Sequence, residues 1–181
     1  MPFESDFRSF AKVDLTADDL ARMKEFVLAV TAVKAHEDEH QRDGDRELER
    51  WAAGRLGEIG LERYLGVQFV DWTVGPSWSY DVADLGSIGI PVGVKTAKWG
   101  NYPVVPVEPR HKEIILVWQG MSIHSCGLAR QSVMIRNSDL GLIMNENLRD
   151  KGTKAGFYGF SELLPFADLA ELRALAQDAT Y

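Results

Sequence analysis

The chain has 181 residues, a formal net charge of −7, 45% hydrophobic and 26% charged residues, a balance that excludes wholesale disorder and suits one domain with a sizeable core. Its longest apolar stretch, residues 26–33, is too short to span a bilayer, and the first ten residues have early acids and no secretory apolar run. The single cysteine, Cys126, rules out an internal disulfide framework, fits a reducing cytoplasm, and has no nearby base to make it a nucleophile.

Charge is unevenly spread. Residues 1–90 carry 18 acids and 10 bases, whereas residues 93–154 carry nine bases and five acids. The net charge argues against a general nucleic-acid coat, but a basic second half leaves a local anionic partner open.

Thr16 and Asp19 have capping-box spacing, and Leu20, Met23, Val27 and Val30 recur at helical spacing, predicting a helix from about 16 into the high 30s. A second helix should run from about 45 to 65 and end at Gly66. The period then changes: residues 67–74, 77–85 and 91–99 read as strands separated by turn residues. Residues 113–121 read as a strongly apolar strand suited to the middle of a sheet. In 122–156, QSVMIRN fits a strand or a short helix and DLGLIMNENLR a helix; 157–163 reads as a short strand. Pro165 suits a first helical position, with Leu169, Leu172 and Leu175 striping a final helix. This order predicts an α/β domain with a mixed β-sheet flanked by helices. It is one domain, 1–181, made of an N-terminal helical arm (1–44), a core (45–121), and a mixed region with the C-terminal helix (122–181).

The second helix carries Gly54, Gly57 and Gly60, each costing up to about 1 kcal/mol relative to alanine, so its backbone should approach another element closely. Glu58 and Glu62 are four apart and share a face, where a cation would relieve their repulsion. In the strand 91–99, Gly93 and Lys95 point the same way. If 77–85 and 91–99 form a hairpin, Asp81 or Asp84 lies across from Lys95. Carboxylates and an ammonium so placed suit a hard divalent cation and phosphodiester hydrolysis.

GRLGEIGLERYLG (54–66), YDVADLG (80–86) and VGVKTAKW (92–99) together resemble the PD-(D/E)XK nuclease superfamily, with its restriction-endonuclease-like fold. The likeness covers about 45 residues in order and spacing, and more loosely the strand 113–120 and the ending 157–169. It implies a Mg²⁺- or Mn²⁺-dependent deoxyribonuclease, more in the manner of an endonuclease than an exonuclease. Asp81 would be the first metal aspartate, Lys95 the motif lysine, and Glu58 the helix glutamate, with Glu62 as a further metal ligand. Gln119 would match a polar strand residue of some members. DNA is the implied partner, and the habit of many relatives implies a homodimer.

Where the family has an acid two residues before the lysine, this chain has Gly93. Another acid must then supply the second carboxylate, Glu58, Glu62 or Asp84 by geometry, with Glu108 and Glu113 behind them. Otherwise the chain is a degenerate DNA-binding or protein-interaction module. Lys98, Arg110, His111 and Lys112 are placed in sequence to meet phosphates, and Arg130, Arg136, Arg149, Lys151 and Lys154 could add a basic side. Trp51, Trp72 and Trp118 fall on apolar faces and read as core; Trp78 and Trp99 flank the site strands. His36-Glu37-Asp38-Glu39-His40 is a literal zinc-hydrolase motif, set in charged surroundings unlike the apolar helix such enzymes use.

Overall fold

Thr16 and Asp19 form the expected reciprocal cap: the Thr16 N–H and hydroxyl both donate to the Asp19 carboxylate (2.8 and 2.9 Å), and the Asp19 N–H donates back to the hydroxyl (3.2 Å). The computed structural model describes residues 2–34, 45–74 and 83–178. From the cap runs α2 (Ala17–Lys34), preceded by a short α1 (Pro2–Asp6) and a strand β1 (Ala11–Asp14). The long helix α3 (Asp45–Leu65) follows and stops at Gly66, whose φ of 67° is the left-handed conformation of a helix C′ residue. Arg63 ties α3 to α2 through Asp19 at 2.9 Å.

The main sheet has β2 (Val92–Lys98), β4 (Lys112–Gln119) and β5 (Ser122–Ala129) in the order β1-β5-β4-β2. β2 runs parallel to β4, and the other pairs are antiparallel, so the sheet is mixed. A smaller antiparallel sheet takes β3 (Val104–Pro106), β7 (Lys154–Phe157) and β6 (Ser138–Asp139) in that spatial order. Short helices α4 (Gln131–Arg136) and α5 (Glu146–Asp150) precede the last helix, α6 (Leu169–Gln177). The protein is thus mixed α/β, with a mixed sheet flanked by helices.

β4 lies inside the sheet, as its apolar run predicts. Its alternating side chains feed two separate cores: Ile114 and Leu116 pack with Leu56, Leu61 and Leu172, while Ile115 and Val117 pack with Phe3, Val105 and Phe157. Full burial of each such side chain contributes roughly 1.5–3 kcal/mol.

Several expectations need correction. Residues 67–74 are not a strand, because the Glu62 carboxylate captures the N–H groups of Phe69 and Val70 (2.6 and 2.7 Å) and Asp71 captures that of Thr73 (2.9 Å). Most of the strand expected at 77–85 lies outside the described residues; among those described, β2 pairs with β4. Residues 83–91 hold a turn of 3-10 helix, Gly86–Ile88, closed by the Leu85 N–H on the Val92 carbonyl (3.1 Å). The N-terminal segment is more than a helical arm, since β1 completes the main sheet against β5. DLGLIMNENLR divides into a 3-10 turn and the short α5. The strand expected at 157–163 ends at Phe157, and the final helix starts at Leu169, capped by the Asp168 carboxylate on the Glu171 N–H (2.9 Å), rather than at Pro165. Among the described residues no helix is long and apolar enough to cross a membrane.

Candidate functional site

Helix α3 reaches the sheet through its glycines. A Cβ on Gly57 would overlap the Thr96 side chain of β2, and one on Gly60 would lie 2.6 Å from Ile123 of β5. Gly54 has nothing within 4 Å, so its absence of a side chain answers no such approach. The residue after Gly57 is Glu58, which is thereby carried to the edge strand. Its carboxylate meets Arg55 at 2.6 Å, and Arg55 itself lies over the Phe26 ring, 3.9 Å from its centroid. Burial pushes Glu58 up to about 7 against the downward pull of Arg55; the charges of Asp84 and Glu62 push the same way as burial.

From the sheet come Lys95, His111 and Glu113. The parallel register sets Gly93 beside Glu113 and Lys95 beside Ile115, so Lys95 and Glu113 share a face of the sheet. The Lys95 ammonium lies 3.3 Å from Glu113 Oε2, and His111 Nδ1 lies 3.4 Å from Glu113 Oε1. Glu113 is 1% exposed, and its Oε2 accepts no aligned hydrogen bond despite the nearby ammonium. Burial raises the Glu113 carboxyl above the usual range, while Lys95 and His111 pull it back.

Asp84 joins the two groups. It sits in the turn before β2, where its Oδ2 accepts the Val94 N–H at 2.6 Å. Its charge acts on both Glu58 and Glu113. Helix α3 packs on the face of β2 that carries Thr96, whereas Lys95 and Glu113 lie on the opposite face, so the Lys95–Glu113 pair and Glu58 are joined by the electrostatic influence of Asp84 and not by contact. Among the described residues, no three His, Cys, Asp or Glu side chains converge into a ready-made metal cage.

The other sequence candidates fall elsewhere. Asp81, Trp78 and the His36–His40 motif lie outside the described residues. Glu62 is turned to the Phe69 and Val70 amides, a structural use. Lys98 is paired with Glu49. Lys112 is not a free phosphate contact: its ammonium caps α6, donating to the carbonyls of Leu175, Ala176 and Asp178 at 2.7, 3.2 and 2.7 Å. Arg110 and Glu108 are exposed on the loop before β4. Gln119 pairs with His124 (3.1 Å) six residues along β4 from Glu113, roughly 20 Å away at strand rise. Trp99 packs edge-on against Phe3 and Phe7 rather than facing a ligand. Trp51, Trp72 and Trp118 are half-buried against the core, and Cys126 is buried, which pushes its thiol up.

Of the predicted basic side, Arg136 is paired with Glu162 and Arg149 with Glu146. Lys154, at the start of β7, is held down first by desolvation and then by the positive charges of Arg50, Lys95 and Lys151. These bases sit on the site's electrostatic horizon, and Arg50 had no periodic or motif signal to single it out. His111 and Glu113 bracket Lys112 in sequence, so strand alternation was the available signal that the two would face the same way. No protein-family model, curated protein or solved structure matches the chain.

Proposed function

We propose that the chain is a metal-dependent nuclease of restriction-endonuclease-like fold that hydrolyses phosphodiester bonds in DNA. The observation that carries this reading is the ion pair between the Lys95 ammonium of β2 and the buried Glu113 carboxylate of β4 (3.3 Å), with the charge of Asp84 acting on Glu113 and on Glu58. Hard oxygen donors of this kind suit Mg²⁺ or Mn²⁺. Glu58 and Asp84 would hold the ion with Asp81, the last by the sequence resemblance alone. The ion would neutralise phosphate charge and lower the pKa of a bound water.

The protein's own groups then have distinct tasks. Lys95 orients the attacking water or counters the charge growing on the phosphate. Arg55 keeps the Glu58 carboxylate aimed by a charge-assisted hydrogen bond (2.6 Å). Lys154, Lys151 and Arg50 offer positive charge to the nucleic-acid backbone. DNA as the substrate, and a homodimer as the working form, are part of this proposal.

A second reading, a non-catalytic DNA-binding or protein-interaction module, is favoured by one observation: Glu58 and Asp84 already have partners in Arg55 and the Val94 N–H. Incubation with supercoiled plasmid and with single-stranded DNA, in Mg²⁺, Mn²⁺ or chelator, separates the two. The nuclease reading expects cleavage that chelator stops. Salt-sensitive binding with intact DNA in every lane is the outcome of the second.

A further inference from the structure

We infer that the cavity between α2, the end of α3 and the loop after it is a binding site for a free α-amino acid with an apolar side chain, its carboxylate held by Arg22 and its ammonium by Glu62. The site goes beyond the nuclease reading and does not depend on it.

Arg63 of α3 holds Asp19 of α2 at 2.9 Å, and Glu62 Oε1 accepts the Phe69 and Val70 N–H groups, which turns the loop back along the helix. Trp72, further along that loop, packs edge-on against Phe26 of α2, with ring centroids 5.8 Å apart. The cavity left between these elements has a volume of about 350 Å³, enough for a small molecule. Ile59, Val67 and Trp72 give it an apolar wall. Ile59 is buried and the other two are half-buried.

The polar groups lining the cavity divide into spent and unspent. Asp19 and Arg63 neutralise each other, and both Asp19 oxygens are occupied, Oδ2 by Thr16 and Oδ1 by Arg63 at 3.0 Å. Arg22 is different. One helical turn before Phe26, its guanidinium lies over the Trp72 ring, 3.9 Å from the centroid, and among the described residues its N–H groups have no acceptor. A guanidinium stacked by its face keeps its N–H edge for a planar carboxylate. Glu62 also has capacity left: its two amide bonds use Oε1, and Oε2 has no donor among the described residues. The Gln68 amide and the Trp72 indole N–H line the same space, likewise without partners among the described residues.

These unspent groups define the ligand. A simple anion would meet the charge of Glu62, and a simple cation the charge of Arg22. A zwitterion complements both, and the apolar wall takes its side chain.

The test uses the full chain without DNA or metal and L-phenylalanine as the probe. Binding is followed by the indole N–H resonance of Trp72 in proton–nitrogen correlation spectra, assigned by its loss in Trp72→Phe. The controls are phenylpropionate, which lacks the ammonium, and phenethylamine, which lacks the carboxylate. L-Phenylalanine should give a saturable shift with millimolar or tighter affinity, at least about tenfold tighter than either control. Arg22→Met, which keeps an unbranched stem beside Trp72, should weaken L-phenylalanine by at least about tenfold. Glu62→Gln should weaken it similarly and leave phenylpropionate no weaker. If Glu62→Gln does not fold, Arg22→Met and the two controls decide.

No saturable shift at the Trp72 indole, unchanged affinity in Arg22→Met, or either control binding as tightly as L-phenylalanine would each overturn the inference. The nuclease reading is decided separately, by DNA cleavage, so either can fail while the other stands.

Discussion

Gly57 of α3 lies so close to Thr96 of β2 that a side chain on the helix residue would overlap the threonine side chain. The Thr96 hydroxyl is buried there without a hydrogen bond. This approach fixes the height of Glu58 over the edge strand, and it makes a substitution at the glycine felt at the site. Gly57→Ala should destabilise the fold by about 1–3 kcal/mol through overpacking, despite alanine's better helix propensity. Gly54→Ala, with open space around it, should instead stabilise by up to about 1 kcal/mol. Urea unfolding of both variants checks the pair; equal effects would mean that the helix does not touch the sheet through Gly57.

Glu62 is the carboxylate that closes the loop after α3. Glu62→Gln keeps its shape but weakens the bonds to the Phe69 and Val70 amides, and should destabilise by about 1–3 kcal/mol. Mn²⁺ affinity should stay at the wild-type level. A large loss of affinity with unchanged stability would return Glu62 to the metal site.

The burial of Glu58 has a pH signature. Its carboxyl is raised from 4.5 to about 7 by burial, so the folded chain holds a proton that the unfolded chain releases. Below about 4.5 both states are protonated and the charge-burial cost is absent; as pH rises through that range to about 7 the cost develops, and stability falls. Glu58→Gln removes this titration. The stability of wild type relative to Glu58→Gln should therefore drop between pH 5 and pH 8, by on the order of 1–3 kcal/mol after allowing for partial solvent access. Denaturant curves across that range measure it, and a difference that does not change with pH would contradict the buried placement.

The sequence made the framework legible where a local rule sufficed. The Thr16/Asp19 cap, the stop at Gly66, the two-sided apolar run of β4 and the close approach implied by Gly57 and Gly60 are all carried by residues near one another in the chain. What misled was competition for backbone groups. Residues 67–74 have a strand's composition, but Glu62 and Asp71 take amides a ladder would need. β5 escaped notice because Gly127 and a register shift opposite Ile115 and Leu116 break its alternation.

The site was legible in the same partial way. Spacing marked Glu58 with Glu62, and Asp81 or Asp84 with Lys95; of these, Asp81 lies outside the described residues, Glu62 turns to backbone amides, and Asp84 acts on Glu58 through its charge. Glu113 could not be preferred, since its place beside Gly93 depends on a parallel register between strands separated by a loop and β3. Lys112 looked like a phosphate contact because nothing local announces that the end of α6 will fold back onto it. Lys112→Met should accordingly destabilise by about 1 kcal/mol through the lost cap, with the salt dependence of DNA binding unchanged. Thermal unfolding and a salt titration of binding read the two effects apart.

The most direct measurement is the single-turnover rate of plasmid nicking in Mn²⁺ by wild type and by Lys95→Ala, with circular dichroism to establish that both are folded. The account predicts nicking by the wild type that chelator abolishes, and a rate at least about 100-fold lower in the folded variant. Equal rates in the two proteins, or nicking that persists in chelator, would contradict it.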